Sequence, residues 1–168
     1  MRKIYLLIFA FLICANSYAQ YNQSAGLRLG LSSGVTFKKF IQDEEAMEML
    51  LTGRNDGLQL TGLYEFHKPL KWGISDRMYL NYGVGGHFGY ERDFRERFIY
   101  LPNSQVELID SQKHQFTMGI DALIGIEYRW LAVPLTISID MKPYFDYVGM
   151  RSTHLRFWDT ALSVKYIF

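Results

Sequence analysis

The chain has 168 residues, 49% of them hydrophobic and 21% charged, with 18 Lys and Arg against 17 Asp and Glu and a single cysteine. A formal charge of +1 holds no basic excess for nucleic acid, and one cysteine forms no internal disulfide and no thiolate metal site. The length suits one domain.

The N-terminus has the three parts of an export signal: Arg2 and Lys3, the apolar run Ile4 to Ile13, and Ser17-Tyr18-Ala19 before Gln20. The run is shorter than the ~20 residues of a spanning helix, and polar Asn16 and Ser17 follow it. Cleavage is expected after Ala19, dividing the chain into a signal peptide, 1–19, and one domain, 20–168. Cys14 falls within the signal, behind Leu12-Ile13 rather than the small residue of a lipoprotein signal. Removal of Arg2 and Lys3 leaves 16 basic against 17 acidic residues, a mature charge of −1.

From Gln20 onward the dominant period is two, the signature of strands with unlike faces. Strands are expected near 25–31, 35–40, 46–53, 58–66, 78–91, 116–130, 135–147 and 158–168. In the first hairpin, Leu27, Leu29, Leu31, Val35 and Phe37 share one parity; a turn at Ser32-Ser33-Gly34, with Gly34 left-handed, pairs Leu31 with Val35. Leu58, Leu60, Gly62, Tyr64 and Phe66 then oppose Gln59, Thr61, Leu63, Glu65 and His67. After turn signals at His67 to Arg77, Met78, Leu80, Tyr82, Val84, Gly86, Phe88 and Tyr90 alternate with Tyr79, Asn81, Gly83, Gly85, His87, Gly89 and Glu91. The interruption Arg92 to Gln115 reads as a hairpin extending its flanking strands, around Pro102-Asn103-Ser104. The clearest alternation follows, Phe116 to Trp130, with every even position apolar and nearly every odd one polar or glycine. A four-residue turn, Leu131 to Pro134, sets Trp130 opposite Leu135, which brings Asp121 opposite Tyr144 and diagonal to Lys142. The last strand carries Leu162, Val164, Tyr166 and Phe168 against Ala161, Ser163 and Lys165.

Eight strands leave a barrel interior just wide enough for side chains or one small ligand. Several faces of six to eight bulky apolar residues overfill such an interior, so the apolar face points outward, into lipid. Aromatic residues gather at both ends of the strands, Phe66, Tyr128, Trp130, Tyr166 and Phe168 at one and Phe88, Tyr90, Phe116, Phe145, Tyr147 and Trp158 at the other. Two aromatic girdles flanking an aliphatic band fit a membrane slab. The fold expected is thus all-β: a closed antiparallel transmembrane β-barrel of about eight strands behind a cleaved signal peptide.

The inward positions then hold Arg28, Lys38, Glu48, Glu65, His67, His87, Glu91, Asp121, Glu127, Arg129, Asp140, Lys142, Asp146, Asp159 and Lys165. Both signs are mixed, as an ion-pair network filling the interior requires, since buried charges must be paired. The alternative is a narrow pore or small-ligand pocket, with the inward glycines Gly83, Gly85, Gly89, Gly119 and Gly125 making room. The histidines lack metal-ligand spacing, and no cofactor is expected. A lipid-modifying enzyme would need a nucleophile and base together; His154 beside Ser152-Thr153 and His114 near Ser111 and Asp110 are the nearest approach, and no catalysis is expected from them.

The segments Gly26-Leu27-Arg28-Leu29-Gly30, Gly57 to Glu65, Tyr82 to Gly89 and Leu162 to Phe168 carry a resemblance to the small outer-membrane β-barrel proteins of Bacteroidota-like bacteria over essentially the whole mature length. The resemblance implies an outer-membrane location and outer-membrane lipids as surroundings. It also implies that Leu162, Val164, Tyr166 and Phe168 form the signal read by the barrel-assembly machinery. It carries no reaction. A structural or surface-interaction role follows, with 92–115 as the contact surface for an extracellular partner that the sequence does not identify.

Overall fold

The computed structural model describes residues 22–168 apart from 55, 72–74, 101–105, 131 and 149–151. The expected signal peptide 1–19, with Cys14, and the loop tip Pro102-Asn103-Ser104 lie outside the described residues. Ten strands follow in order: β1 (Gln23–Gly30), β2 (Ser33–Gln42), β3 (Glu45–Arg54), β4 (Gly57–Pro69), β5 (Met78–Tyr100), β6 (Val106–Trp130), β7 (Leu135–Met141), β8 (Tyr144–Val148), β9 (Ser152–Arg156) and β10 (Thr160–Ile167). Each pairs antiparallel with its neighbours in the order β5-β4-β3-β2-β1-β10-β7-β6, and β6 pairs back onto β5. The sheet is therefore closed, with eight staves and no free edge around the barrel.

The two extra strands continue existing staves. β8 lies on β6 beyond β7, and β9 lies on β8 beyond β10, so the expected strand 135–147 is interrupted, while 158–168 is realised as β10 from Thr160 and β9 is an added strand before it. The break falls at Pro143, which has no N–H for the ladder. Pairing resumes at once, because Ala122 N donates to the Pro143 carbonyl at 2.9 Å and Lys142 N to that of Asp159 at 2.9 Å.

The first hairpin differs in register from the expectation. Leu27 faces Val35 and Arg28 faces Gly34, so the loop is Leu31-Ser32, and Gly34 is an ordinary strand residue opposite Thr52. The reason is chemical: the Ser32 amide and hydroxyl both donate to Asp159 Oδ1, at 3.2 and 2.8 Å, while the Ser33 hydroxyl donates to the Gly30 carbonyl at 3.0 Å. The displacement is an even number of residues, so the faces are unchanged: Leu27, Leu29, Leu31, Val35 and Phe37 are all exposed.

The faces are inverted relative to a soluble protein. Ile120 is 68% exposed and Val84 63%, whereas Arg28 is 1% exposed and Lys38 0%. This surface suits hydrocarbon and the interior suits charge. Rings meet at the end bearing the start of β1 and the end of β10, Tyr64 with Phe66 (5.3 Å), Phe66 with Tyr82 (5.6 Å) and Tyr128 with Trp130 (5.9 Å). Toward the other end Phe88, Tyr90, Phe116, Tyr147 and Trp158 are exposed. Beyond Tyr90 and Phe116, β5 and β6 run on as a two-stranded ribbon to the pair Tyr100 and Val106. Among the described residues, pairing with β4 stops at Tyr90 and pairing with β8 at Thr117.

Candidate functional site

Because the inward parity of each stave is largely polar, closing the sheet brings charged side chains from all of them into one narrow space. Seven carboxylates (Glu48, Glu65, Asp121, Glu127, Asp140, Asp146 and Asp159) are buried there against four Lys and Arg side chains, Arg28, Lys38, Lys142 and Lys165. The excess of acid explains the placement of two further donors, Arg129 and His87. Arg129 Nε donates to Glu127 Oε1 at 2.9 Å. His87 stands between two carboxylates, Nδ1 lying 2.7 Å from Asp121 and Nε2 2.5 Å from Asp146.

The charges sort into two clusters. Toward the chain termini, Lys38 Nζ is the hub: it lies 2.8 Å from Glu65, 3.1 Å from Glu48 and 3.3 Å from Glu127, which come from β4, β3 and β6. Lys165 on β10 reaches Glu48 at 2.6 Å, and His67 Nε2 is 3.3 Å from Glu65. Thr36 donates a further hydrogen bond to Glu48. Arg129 also stacks over the rings of Phe40 and Tyr79, at 5.1 and 3.8 Å, forming a floor to this cluster. In the second cluster, Arg28 pairs with Asp140 and approaches Asp159 at 4.0 Å. Lys142 Nζ lies 2.9 Å from Asp121 and 3.6 Å from Asp159.

The nine interior residues singled out from the sequence (Arg28, Glu65, His87, Asp121, Glu127, Arg129, Asp140, Lys142 and Lys165) thus all face the lumen and divide between these clusters. The expected register also holds: Trp130 is opposite Leu135, Asp121 is opposite Tyr144, and Lys142 reaches Asp121 along the diagonal. Glu91, at the ribbon end, is half-buried rather than enclosed.

What the charge pattern did not convey is the apolar part of the lumen. Leu50, Leu63 and Leu123 pack together as a buried cluster, and Phe40 and Tyr144 are buried beside them or beyond. Tyr144 packs between cations, with Arg54 over its ring at 4.9 Å and Lys142 Nζ at 4.9 Å. The signal was present as parity: Leu50 lies between Glu48 and Thr52, and Leu123 between Asp121 and Gly125.

The inward glycines do not open a path. A Cβ at Gly125 would lie 2.6 Å from the Ile139 carbonyl oxygen, and one at Gly85 2.0 Å from that of Gly62. These glycines let adjacent backbones bend tightly together, which narrows the barrel. The charged side chains of both clusters are at most 4% exposed apart from Arg129 at 14%, so among the described residues water reaches little of the lumen.

The residues expected to form the assembly signal lie on the closing stave. Leu162 pairs with Leu29 and Ile139, Val164 with Leu27 and Ile137, and Tyr166 with Ala25 and Leu135, while Phe168 N donates to the Gln23 carbonyl at 3.0 Å. All four sit on the outward face, with Phe168 43% exposed.

No protein-family model matches the chain, and no curated protein matches it. Among solved structures, the chain is similar to the crystal structure of the N-terminal β-barrel domain of Pseudomonas aeruginosa OprF, with a TM-score of 0.57 and 13% identity over 87% of this chain and 95% of that one. At that identity the likeness establishes the fold alone, a β-barrel, which in this chain is a closed antiparallel barrel of eight staves.

Proposed function

We propose that this chain is an integral outer-membrane barrel protein of the small Bacteroidota-like kind, exported through its N-terminal signal and folded by the barrel-assembly machinery. Its role is structural: the lumen is a sealed ion-pair core, and the ribbon of β5 and β6 is the surface offered to an extracellular partner. One observation carries this reading. The exposed belt is apolar and long enough for hydrocarbon, while the charges are enclosed and paired within, as for Lys38 among Glu48, Glu65 and Glu127. A conducting pore requires a continuous wet path, and side chains as enclosed as Lys38 and Lys142 at 0% exposure speak against one.

Planar-bilayer recording of the mature protein, refolded in detergent and shown to be heat-modifiable, tests the sealed lumen. No stable unitary conductance is expected; reproducible ohmic steps would refute it. Photo-crosslinking residues placed at Arg95 and Gln112 on living cells test the ribbon, which should give discrete adducts absent from the same probe at Val35 on the barrel wall.

A further inference from the structure

The apolar part of the lumen lies where it can block the way through. Leu50 stands between Glu48 and Thr52 on β3, and Leu63 between Glu65 and Thr61 on β4, so each separates a carboxylate of the Lys38 cluster from a hydroxyl on the ribbon side. Leu123 joins them from β6, although β5 runs between. It can do so because the residues of β5 at that level are glycines, Gly85 paired with Leu63 and Gly83 with Leu123. On the opposite wall Arg28 of β1 pairs with Asp140 of β7 across β10, whose inward residues there are Ala161 and Ser163. The three leucines, at most 4% exposed, thus fill one half of the cross-section and this ion pair the other.

On the ribbon side of this septum is a set of enclosed polar atoms without protein partners. Thr52, Gln59, Thr61 and Tyr144 are all buried, and among the described residues neither threonine hydroxyl, nor Gln59 Oε1, nor the Tyr144 hydroxyl has a hydrogen-bond partner. Register and ring contacts bring the four around one space: Thr52 is paired with Gln59, Thr61 with His87, and the His87 ring meets that of Tyr144 at 5.5 Å. Arg54, two residues beyond Thr52, reaches from the end of β3 to stack on the Tyr144 ring at 4.9 Å, which roofs the space. Buried polar groups in native proteins are satisfied by protein or by ordered water. Water settles where several such groups converge, whereas an apolar lining stays dry.

We propose that this space holds an enclosed cluster of ordered water, and that the leucine septum beneath it, rather than the ion pairs, is the barrier to permeation. The proposal rests on the sealed-lumen reading above and names what does the sealing. Carboxylates, ammonium groups and hydroxyls can stand in for the hydration shell of an ion or bind a passing water. Leucine side chains cannot, and a narrow apolar constriction sheds its water and so blocks ions as well. The ion pairs then tie the staves together, while Leu50, Leu63 and Leu123 make the lumen impermeable.

The test is planar-bilayer recording of residues 20–168 in four forms, each first shown to be heat-modifiable: wild type, Leu63→Thr/Leu123→Thr, Leu63→Val/Leu123→Val and Lys38→Met/Glu65→Gln. Thr and Val share a shape and differ by one hydroxyl, so the two septum variants open the same space and differ only in polarity. The Thr pair should give unitary steps in roughly tenfold more recordings than wild type, while the Val pair and the Lys38 variant stay silent. Should the Thr pair fail to assemble, Leu123→Thr alone is judged by the same criterion. An assembled Thr variant as silent as wild type, or a Val or Lys38 variant that conducts as often as the Thr pair, would overturn the proposal. Water-to-protein magnetisation transfer in wild-type barrels in lipid needs no variant: it should reach the Thr52 and Thr61 side chains before the Leu50 and Leu63 methyls, and an equal or reversed order would also overturn it. A wild-type protein that itself conducts would instead contradict the sealed lumen on which the proposal rests.

Discussion

Replacing Lys38 by Met removes the hub of the larger interior cluster while nearly conserving volume. The ammonium lies 2.8, 3.1 and 3.3 Å from carboxylates of Glu65, Glu48 and Glu127, all enclosed. After the change Lys165 still stands beside Glu48 and Arg129 beside Glu127, while Glu65 keeps His67 as its neighbour. Three carboxylates then share a dry space with less positive charge. Breaking a buried ion pair by deleting one partner costs about 3–5 kcal/mol, because the remaining charge is enclosed without compensation. The lower end of that range is still more than a hundredfold in the unfolding equilibrium. The double variant Lys38→Met/Glu65→Gln removes one of the stranded charges and should recover part of the loss, with a coupling of about 1–3 kcal/mol. Urea titration of the barrel in lipid vesicles, followed by tryptophan emission and gel mobility, measures both. A single variant within about 0.5 kcal/mol of wild type, the scale of an ordinary surface change, would show that the cluster is hydrated and that the sealed-lumen argument fails.

Other changes probe the wall and its closure. Ile124→Arg places a cation on the exposed apolar face and should cost about 2–4 kcal/mol in vesicles, the penalty at the midplane of such barrels. Gly125→Ser, which polarity alone would allow in a charged interior, should also destabilise, by about 1–3 kcal/mol, since its Cβ would meet the Ile139 carbonyl at 2.6 Å; unchanged urea midpoints would contradict that geometry. Deleting Tyr166 to Phe168 removes pairings with Ala25, Leu135 and Ser24 and should reduce assembled protein far more than deleting Pro102-Asn103-Ser104, as read by unheated gels of outer membranes. Equal assembled levels would sink it.

The architecture was legible because a strand has a side-chain period of two, and a wall with hydrocarbon outside and charge inside writes that period strongly. Phe116 to Trp130 shows it without ambiguity, and the short turn before Leu135 fixed the Asp121 and Lys142 contact from counting alone. Contacts across the lumen were not countable. Lys38 meets Glu127 only because closure and stagger bring β2 over β6, which no neighbouring register specifies. The first hairpin was misplaced for a related reason: Ser32 is drawn inward by Asp159, a residue 127 positions away. The glycines misled in the other direction, since absence of a side chain reads equally as open space or as close backbone approach, and at Gly125 it is the latter.

The choice of faces underlies every part of this account, and accessibility measures it most directly. Cysteines placed singly at Ile120, Ile124 and Ile137 in residues 20–168, which contain no other cysteine, can be challenged in proteoliposomes with a water-soluble maleimide and with lipid-borne nitroxide quenchers of an attached fluorophore. All three should resist the maleimide and be quenched from the lipid. Rapid aqueous labelling at all three without lipid quenching would place the apolar face elsewhere and contradict the membrane-barrel assignment.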